Sequence, residues 1–347
     1  MIKIVFLTDI HDSLEELKIL LQITKADLYL ICGDILYYAF NDLERVLRFV
    51  TLQEEFYYLI KENKENIDPY DLATKILRDH KSKNTELYFK AAEYRLLFHS
   101  ATKTMKEKYT YIEDIIQRYS NASCFVLPGN YDIDFNYTSL ANRNLHKKIM
   151  YYENLIFAGY GGAPIPTSGI PEKLALPYLE GGKGSDFYSE PYEFFETAQP
   201  DIMVLHNPAY GYFDKVPHYG NIGSLGIRNY LDKHNPSIVL SGHIHEDYGF
   251  FLNSKGTIFL NTSNFGKVDS INGIMEGGSF AEIFIDKITK KVNQIVIKRL
   301  KNYTIYNFFK IHINYHDKPS FEINKLEHFN SFHLDFDQFI KNKDLFY

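Results

Sequence analysis

Five short apolar runs in this chain each stop at a block of metal-seeking side chains, and that repeated juxtaposition narrows the folds open to it. Residues 4–7 run into Asp9 and His11, and Leu28–Cys32 runs into Gly33 and Asp34. Ser123–Leu127 leads to Asn130, residues 201–205 to His206, and residues 237–240 to His243 and His245. The runs are aliphatic and β-branched, the pattern of strands covered on both faces, and such strands deliver polar groups only at the edge of a sheet.

Between these runs the spacing predicts helices. A strand over 2–8 is followed by a helix near 13–24, with Ser13 and Glu16 placed as a capping box. From about 41 to 119 the texture changes: Leu43, Val46, Leu47, Val50, Tyr57 and Ile60 recur at helical spacing. Asp68-Pro69 marks a break, and further helices are expected near 70–80, 85–107 and 109–119. Sheet texture then returns, with hairpins expected at 250–253/257–260 and 280–285/292–299. This predicts an α/β domain over 1–300 interrupted by a helical insertion at 41–119. A C-terminal extension over 301–347, of unknown role, starts strand-like and ends helix-like near 336–347. Insertion or extension is a candidate surface for a homo-oligomer.

Composition excludes several classes. A net charge of −6 without a basic stripe argues against a nucleic-acid polymer as partner. No apolar stretch reaches the length of a membrane span, and the N-terminal run flows directly into candidate ligands, so it is expected to be a strand and not a signal. Cys32 and Cys124 sit inside apolar runs and are expected to be buried free thiols, which implies a cytoplasmic location.

Three oxygen donors (Asp9, Asp34, Asn130) and four imidazoles (His11, His206, His243, His245) suit two closely spaced divalent transition-metal ions. Such a pair points to hydrolysis at phosphorus. Asp34 suits a bridging carboxylate because Gly33 lets the chain turn sharply before it. His99, His80 and His146 lie in helical or loop contexts and are expected to face solvent.

The blocks Asp9-x-His11, Gly33-Asp34, Gly129-Asn130-x-Asp132, His206 and Gly242-His243-x-His245 together resemble the calcineurin-like metallophosphoesterase superfamily. The resemblance implies a two-sheet β-sandwich flanked by helices, a four-layer α/β/β/α fold. It also implies one ion (Mn²⁺, Fe or Zn²⁺) held by Asp9, His11, Asp34 and His245, and a second held by Asp34, Asn130, His206 and His243. A finer resemblance, in HNPAYG and GHIHE, is to the small metallophosphodiesterase branch, and implies a phosphodiesterase cleaving a small phosphodiester by metal-hydroxide attack. A phosphomonoesterase of the same fold and a metal-binding scaffold with little catalysis are the alternatives.

One position departs from the pattern: Tyr131 stands where most members carry a histidine that serves the leaving group. Tyr131 can donate a hydrogen bond there, His218 can swing in as the acid, or the leaving group needs little help. Asp132 is a catalytic candidate that orients a neighbour, or it caps the turn. Asn130 and Arg228 are the candidate phosphate-binding residues, Arg228 being otherwise a helix-packing arginine.

Overall fold

The computed structural model describes residues 1–79, 83–164, 167–270, 273–330 and 336–340. The strands of its two large sheets are β1 (Ile2–Thr8), β2 (Leu28–Cys32), β3 (Ser123–Leu127), β4 (Lys148–Tyr152), β5 (Leu155–Tyr160), β6 (Ile202–Leu205) and β7 (Ile238–Ser241). They continue with β8 (Gly249–Leu252), β9 (Ile258–Asn261), β10 (Ser279–Ile285), β11 (Val292–Lys301), β12 (Thr304–Asn314) and β13 (Ser320–Lys325). The helices are α1 (Leu14–Ile23), α2 (Leu43–Glu62), α3 (Pro69–Arg78), α4 (Glu86–Tyr119), α5 (Glu190–Ala198), α6 (Leu225–Lys233) and the short α7 (Phe336–Phe339). The remainder of the C-terminal helix expected from the sequence, and His80, lie outside the described residues.

Two sheets face one another. The first has the order β13-β12-β11-β10-β1-β2-β3, and the second β8-β9-β7-β6-β5-β4. β1, β2 and β3 are parallel, with Thr8 level with Cys32 and Cys32 level with Leu127. In the second sheet β5, β6, β7 and β9 are parallel, with Tyr160 level with Leu205. Ile4, Phe6, Leu28 and Leu30 point between the sheets and meet Phe157, Val204, Leu240 and Leu260 there. The alternate residues Val5, Leu7, Tyr29 and Ile31 point outward under α1–α4. On the other side Met203, Leu205 and Val239 pack with Phe195 of α5 and Ile227 and Tyr230 of α6. Burial on both faces explains why these strands read as unbroken apolar runs, and the result is the four-layer arrangement expected from the sequence. β12 extends the first sheet by antiparallel pairing on β11, and β13 by antiparallel pairing on β12, with Phe309, Ile311 and Ile313 turned into the inter-sheet core.

α2, α3 and α4 lie between β2 and β3 in the chain and bury their apolar stripes on the first sheet's outer face. Asp42, Asp68 and Thr85 cap them by accepting from the amides of Arg45, Asp71 and Tyr88. Two local expectations need correction. Ser13 makes no side-chain cap, because its φ of −76° and ψ of 58° are not the extended geometry a cap needs. The left-handed residues His11 and Asp12 set that entry angle. Glu86–Tyr119 forms one helix of 34 residues and not two. The run Tyr109-Thr110-Tyr111-Ile112 has weak intrinsic helix preference, but Tyr109, Ile112, Ile115 and Ile116 are buried and packing decides the outcome.

No helix among the described residues is long and apolar enough to cross a membrane. Cys32 and Cys124 are free and buried.

Candidate metal centre

The parallel strands of both sheets end flush, and their following loops stay laced together after the strands stop. The Asp9 amide donates to the Gly33 carbonyl (3.2 Å) and the His11 amide to the Asp34 carbonyl (2.9 Å). Within the second sheet the Gly242 amide donates to the His206 carbonyl (3.2 Å), and across the sheets the His243 amide donates to the Asp9 carboxylate (3.1 Å). The bonds hold an unusual backbone. Asp9, His11, Asp34 and His243 have φ of 55°, 44°, 41° and 69°, the left-handed region that side chains disfavour by roughly 1–2 kcal/mol per residue. Two glycines give the loops room: a Cβ on Gly33 (φ 76°) would strike the His206 ring, and one on Gly129 would strike the Asp34 carboxylate.

This brings the seven expected donors together. Asp9, His11 and His245 form one group and Asp34, His206 and His243 a second, each with its candidate ligand atoms within 4.8 Å of one another. Asn130 joins the second group through Oδ1, 2.8 Å from His206 Nε2. Each group draws donors from both sheets. His11 Nε2 faces His245 Nε2 at 3.2 Å, and Asp9 Oδ1 lies 3.3 Å from the latter. Asp34 Oδ2 is 3.3 Å from His206 Nε2, while its Oδ1 accepts the Tyr131 amide at 2.8 Å.

The electrostatics call for positive charge. Burial opposes ionisation of Asp9 and Asp34, yet the surrounding imidazoles hold both carboxyls below their ordinary values. Burial likewise opposes charge on His206, but Asp34 and Asp9 push it up to about 9. His243 is driven down to about 4 by burial and by the charge on His206. Two imidazole nitrogens facing each other share at most one proton, and His11 Nδ1 and His206 Nδ1 are buried without a hydrogen-bond partner. Buried carboxylates beside nitrogens that compete for protons fit divalent cations of the first transition row.

Other side chains that shape the centre gave no sequence motif. The Thr8 hydroxyl lies between the Asp9 carboxylate and the Cys32 carbonyl. The Asn130 amide donates to Thr167 Oγ1 at 2.6 Å, which turns its oxygen toward His206. The Thr167 loop is tied to the α2–α4 helices: buried Gln53 accepts from the Gly169 amide (2.7 Å) and donates to the Ile170 carbonyl (2.9 Å). Apart from the Thr8–Asp9 contact between neighbours, only the fold reveals these pairings, because the partners lie 24 to 117 positions apart in sequence.

The remaining candidates divide. The Tyr131 ring is 6.1 Å from the His11 ring, and burial and the Asp34 charge push its phenol up to about 12. Asp132 is buried and turned away from chemistry. Its carboxylate accepts from the amides of Ile35 (3.1 Å), Leu36 (3.3 Å) and Gly129 (2.8 Å) and from the Tyr109 hydroxyl (2.8 Å). It pins the Asp34 and Asn130 loops to α4, contacts that match the turn-capping alternative of the two expected. Asp132→Asn should lower stability by about 3 kcal/mol, because an amide NH₂ would face N–H donors, and a lower urea midpoint at unchanged slope checks this. His218 is exposed on a turn and, among the described residues, shares no hydrogen bond or ring contact with the seven. Arg228 pairs with Asp232 (2.9 Å) and lies over the Tyr212 ring (5.1 Å), the contacts of a helix-packing arginine. His99 is exposed as expected, but His146 is buried and accepts the Gly161 amide at 2.9 Å. Its partner lies across a strand pair, so its local sequence context misleads.

No curated protein is a significant match to the sequence. One solved crystal structure aligns with a TM-score of 0.52 at 16% identity, covering 86% of this chain and 99% of that one, which shows a shared fold. Less similar are TT1561 of Thermus thermophilus (TM-score 0.40, 13% identity, 88% of this chain and 98% of that one) and Zn²⁺-complexed Vps29 of Entamoeba histolytica (0.33, 10%, 88% and 96%). The calcineurin-like phosphoesterase profile matches residues 2–247, a span that runs from the first strand of the centre past its last histidine. By that match over most of its length, the chain belongs to the calcineurin-like phosphoesterase family.

Proposed function

We propose that the protein is a dinuclear metal-dependent phosphoesterase whose substrate is a small phosphodiester. The observation that carries this is the pair of adjoining donor groups, Asp9/His11/His245 and Asp34/His206/His243, with Asn130 beside the second. Asp34 is the candidate bridging ligand: its Oδ2 lies 3.3 Å from His206 of the second group, and its carbonyl accepts the amide of His11 of the first at 2.9 Å. Mn²⁺, Fe or Zn²⁺ suits the nitrogen and oxygen donors. When bound, such ions polarise the phosphoryl group and generate a nucleophile from water near neutral pH. Asn130 is held by Thr167 with its amide oxygen toward the second group. Burial and the Asp34 charge push the Tyr131 phenol up to about 12, so it carries a proton to donate as a hydrogen bond to the leaving group but is a weak general acid. A centre without a strong acid favours esters with good leaving groups. The His206-Asn207-Pro208 and Gly242-His243-Ile244-His245-Glu246 segments support the diester preference through their resemblance to metallophosphodiesterases. The buried free thiols support a reducing compartment such as the cytoplasm.

The test is hydrolysis of bis-p-nitrophenyl phosphate by protein with metal content confirmed by mass spectrometry. Turnover with Mn²⁺ is expected, faster than for the corresponding monoester. Loaded protein that cleaves neither ester refutes the enzyme reading and leaves a metal-binding scaffold. Tyr131→Phe should cost about tenfold or less in kcat with p-nitrophenolate leaving, and more with an alkoxide, as read from steady-state rates on both substrate types.

A further inference from the structure

Beside the first donor group lies an aromatic surface that core packing does not explain. Tyr37 meets the His11 ring edge-on with centroids 4.9 Å apart, and Tyr38 lies 4.4 Å from Tyr37. Tyr131 closes the row, 6.0 Å from Tyr37. Tyr37 is half-buried and Tyr38 is 37% exposed, and neither belongs to any of the three hydrophobic cores. Large rings left at the mouth of a polar centre are a binding surface more readily than a packing remnant.

The rings are also held in place. Asp12 accepts from the amides of Tyr37 (3.0 Å) and Tyr38 (3.4 Å). Lys108 of α4 grips Asp12 (3.1 Å) and donates to the Tyr38 carbonyl (3.0 Å). The 37–38 segment is thus fastened from both sides, and a ligand meeting it need not order a loose loop.

We propose that Tyr37 and Tyr38 form a stacking subsite for a planar aromatic group, a nucleobase or an aryl ring, carried by the phosphoester that the donor groups receive. Lys108 and Asp12 are its positioning residues. The proposal rests on the phosphoesterase reading for what holds the phosphate. Stacking tolerates any planar ring and contributes about five- to a hundredfold in affinity when one aromatic platform is removed.

The experiment is calorimetric titration of Mn²⁺-loaded protein with AMP, phenyl phosphate and inorganic phosphate. AMP should bind tighter than inorganic phosphate. In Tyr38→Ala the ratio of AMP to phosphate affinity should fall about tenfold, Tyr38→Phe should restore it, and Lys108→Met should lower it in the same sense. A parallel fall for phenyl phosphate assigns the surface to aromatic rings in general, and a fall for AMP alone assigns it to nucleobases. The proposal is overturned if native protein binds AMP no better than phosphate, if Tyr38→Ala leaves the ratio unchanged, or if Tyr38→Phe shows the same loss as Tyr38→Ala. Ester hydrolysis is scored separately. Tyr38-dependent AMP binding without turnover would end the phosphoesterase reading while the subsite stands, and turnover with an unmoved ratio would do the reverse.

Discussion

Asp34→Asn is expected to remove hydrolysis of aryl diesters, lowering kcat by at least about a thousandfold, while the protein stays folded. The substitution is nearly isosteric, and the amide oxygen can still accept the Tyr131 amide that Oδ1 receives at 2.8 Å. What is lost is the negative charge that acts on both His11 and His206, together with the carboxylate oxygen 3.3 Å from His206. Mass spectrometry under native conditions should show metal occupancy falling from two ions to one or none. Unchanged occupancy and rate in Asp34→Asn would exclude this carboxylate as the bridge. The effect should exceed that of Tyr131→Phe by orders of magnitude, because ligands create the nucleophile and neutralise charge whereas the phenol contributes one hydrogen bond.

Chelation should be the next largest perturbation. A ligand that binds only the folded state stabilises it by about 4 kcal/mol at a thousand times its dissociation constant, so in a chain of this size stripping metal should lower Tm by roughly 5 °C per ion removed. The pH dependence has a definite sign. His206 in the metal-free protein is raised to about 9 by Asp34 and Asp9, against the opposing effect of burial. Its ion pair with Asp34 therefore stabilises the metal-free fold fully below about 6.5, and that contribution is lost as pH rises through about 9. Metal binding needs the neutral imidazole and so displaces that proton. The Tm difference between Mn²⁺-loaded and chelated protein should thus widen from pH 6.5 to 9, as read by scanning fluorimetry at fixed free metal. A difference that narrows over that window would show that His206 does not exchange its proton for a cation.

The strand ends were legible in sequence because burial on both faces leaves few polar residues within a strand. A polar block after an apolar run then marks where the chain leaves the core, as at Leu7-Thr8-Asp9 and Leu240-Ser241-Gly242. The same logic found the two hairpins. It failed where the deciding partner is remote. Ser13 has the composition of a cap but inherits its dihedrals from Asp12. His146 looks like a loop residue until Gly161 is placed beside it, and Asp132 looks catalytic until Tyr109 arrives from α4. Tyr37 and Thr167 carried no signal, because an aromatic or a hydroxyl residue becomes part of a site only through what the fold sets next to it.

That each donor group spans both sheets bears on how the protein matures. Asp9 and His245 are 236 positions apart in sequence, from residue 9 to residue 245, and still meet at 3.3 Å. Short segments such as Asp9-x-His11 or His243-x-His245 offer a cation two donors at most, too few to nucleate order as a zinc finger does. The ions would therefore arrive late, riveting a sandwich already assembled. Loading would then report that the two sheets have docked on one another.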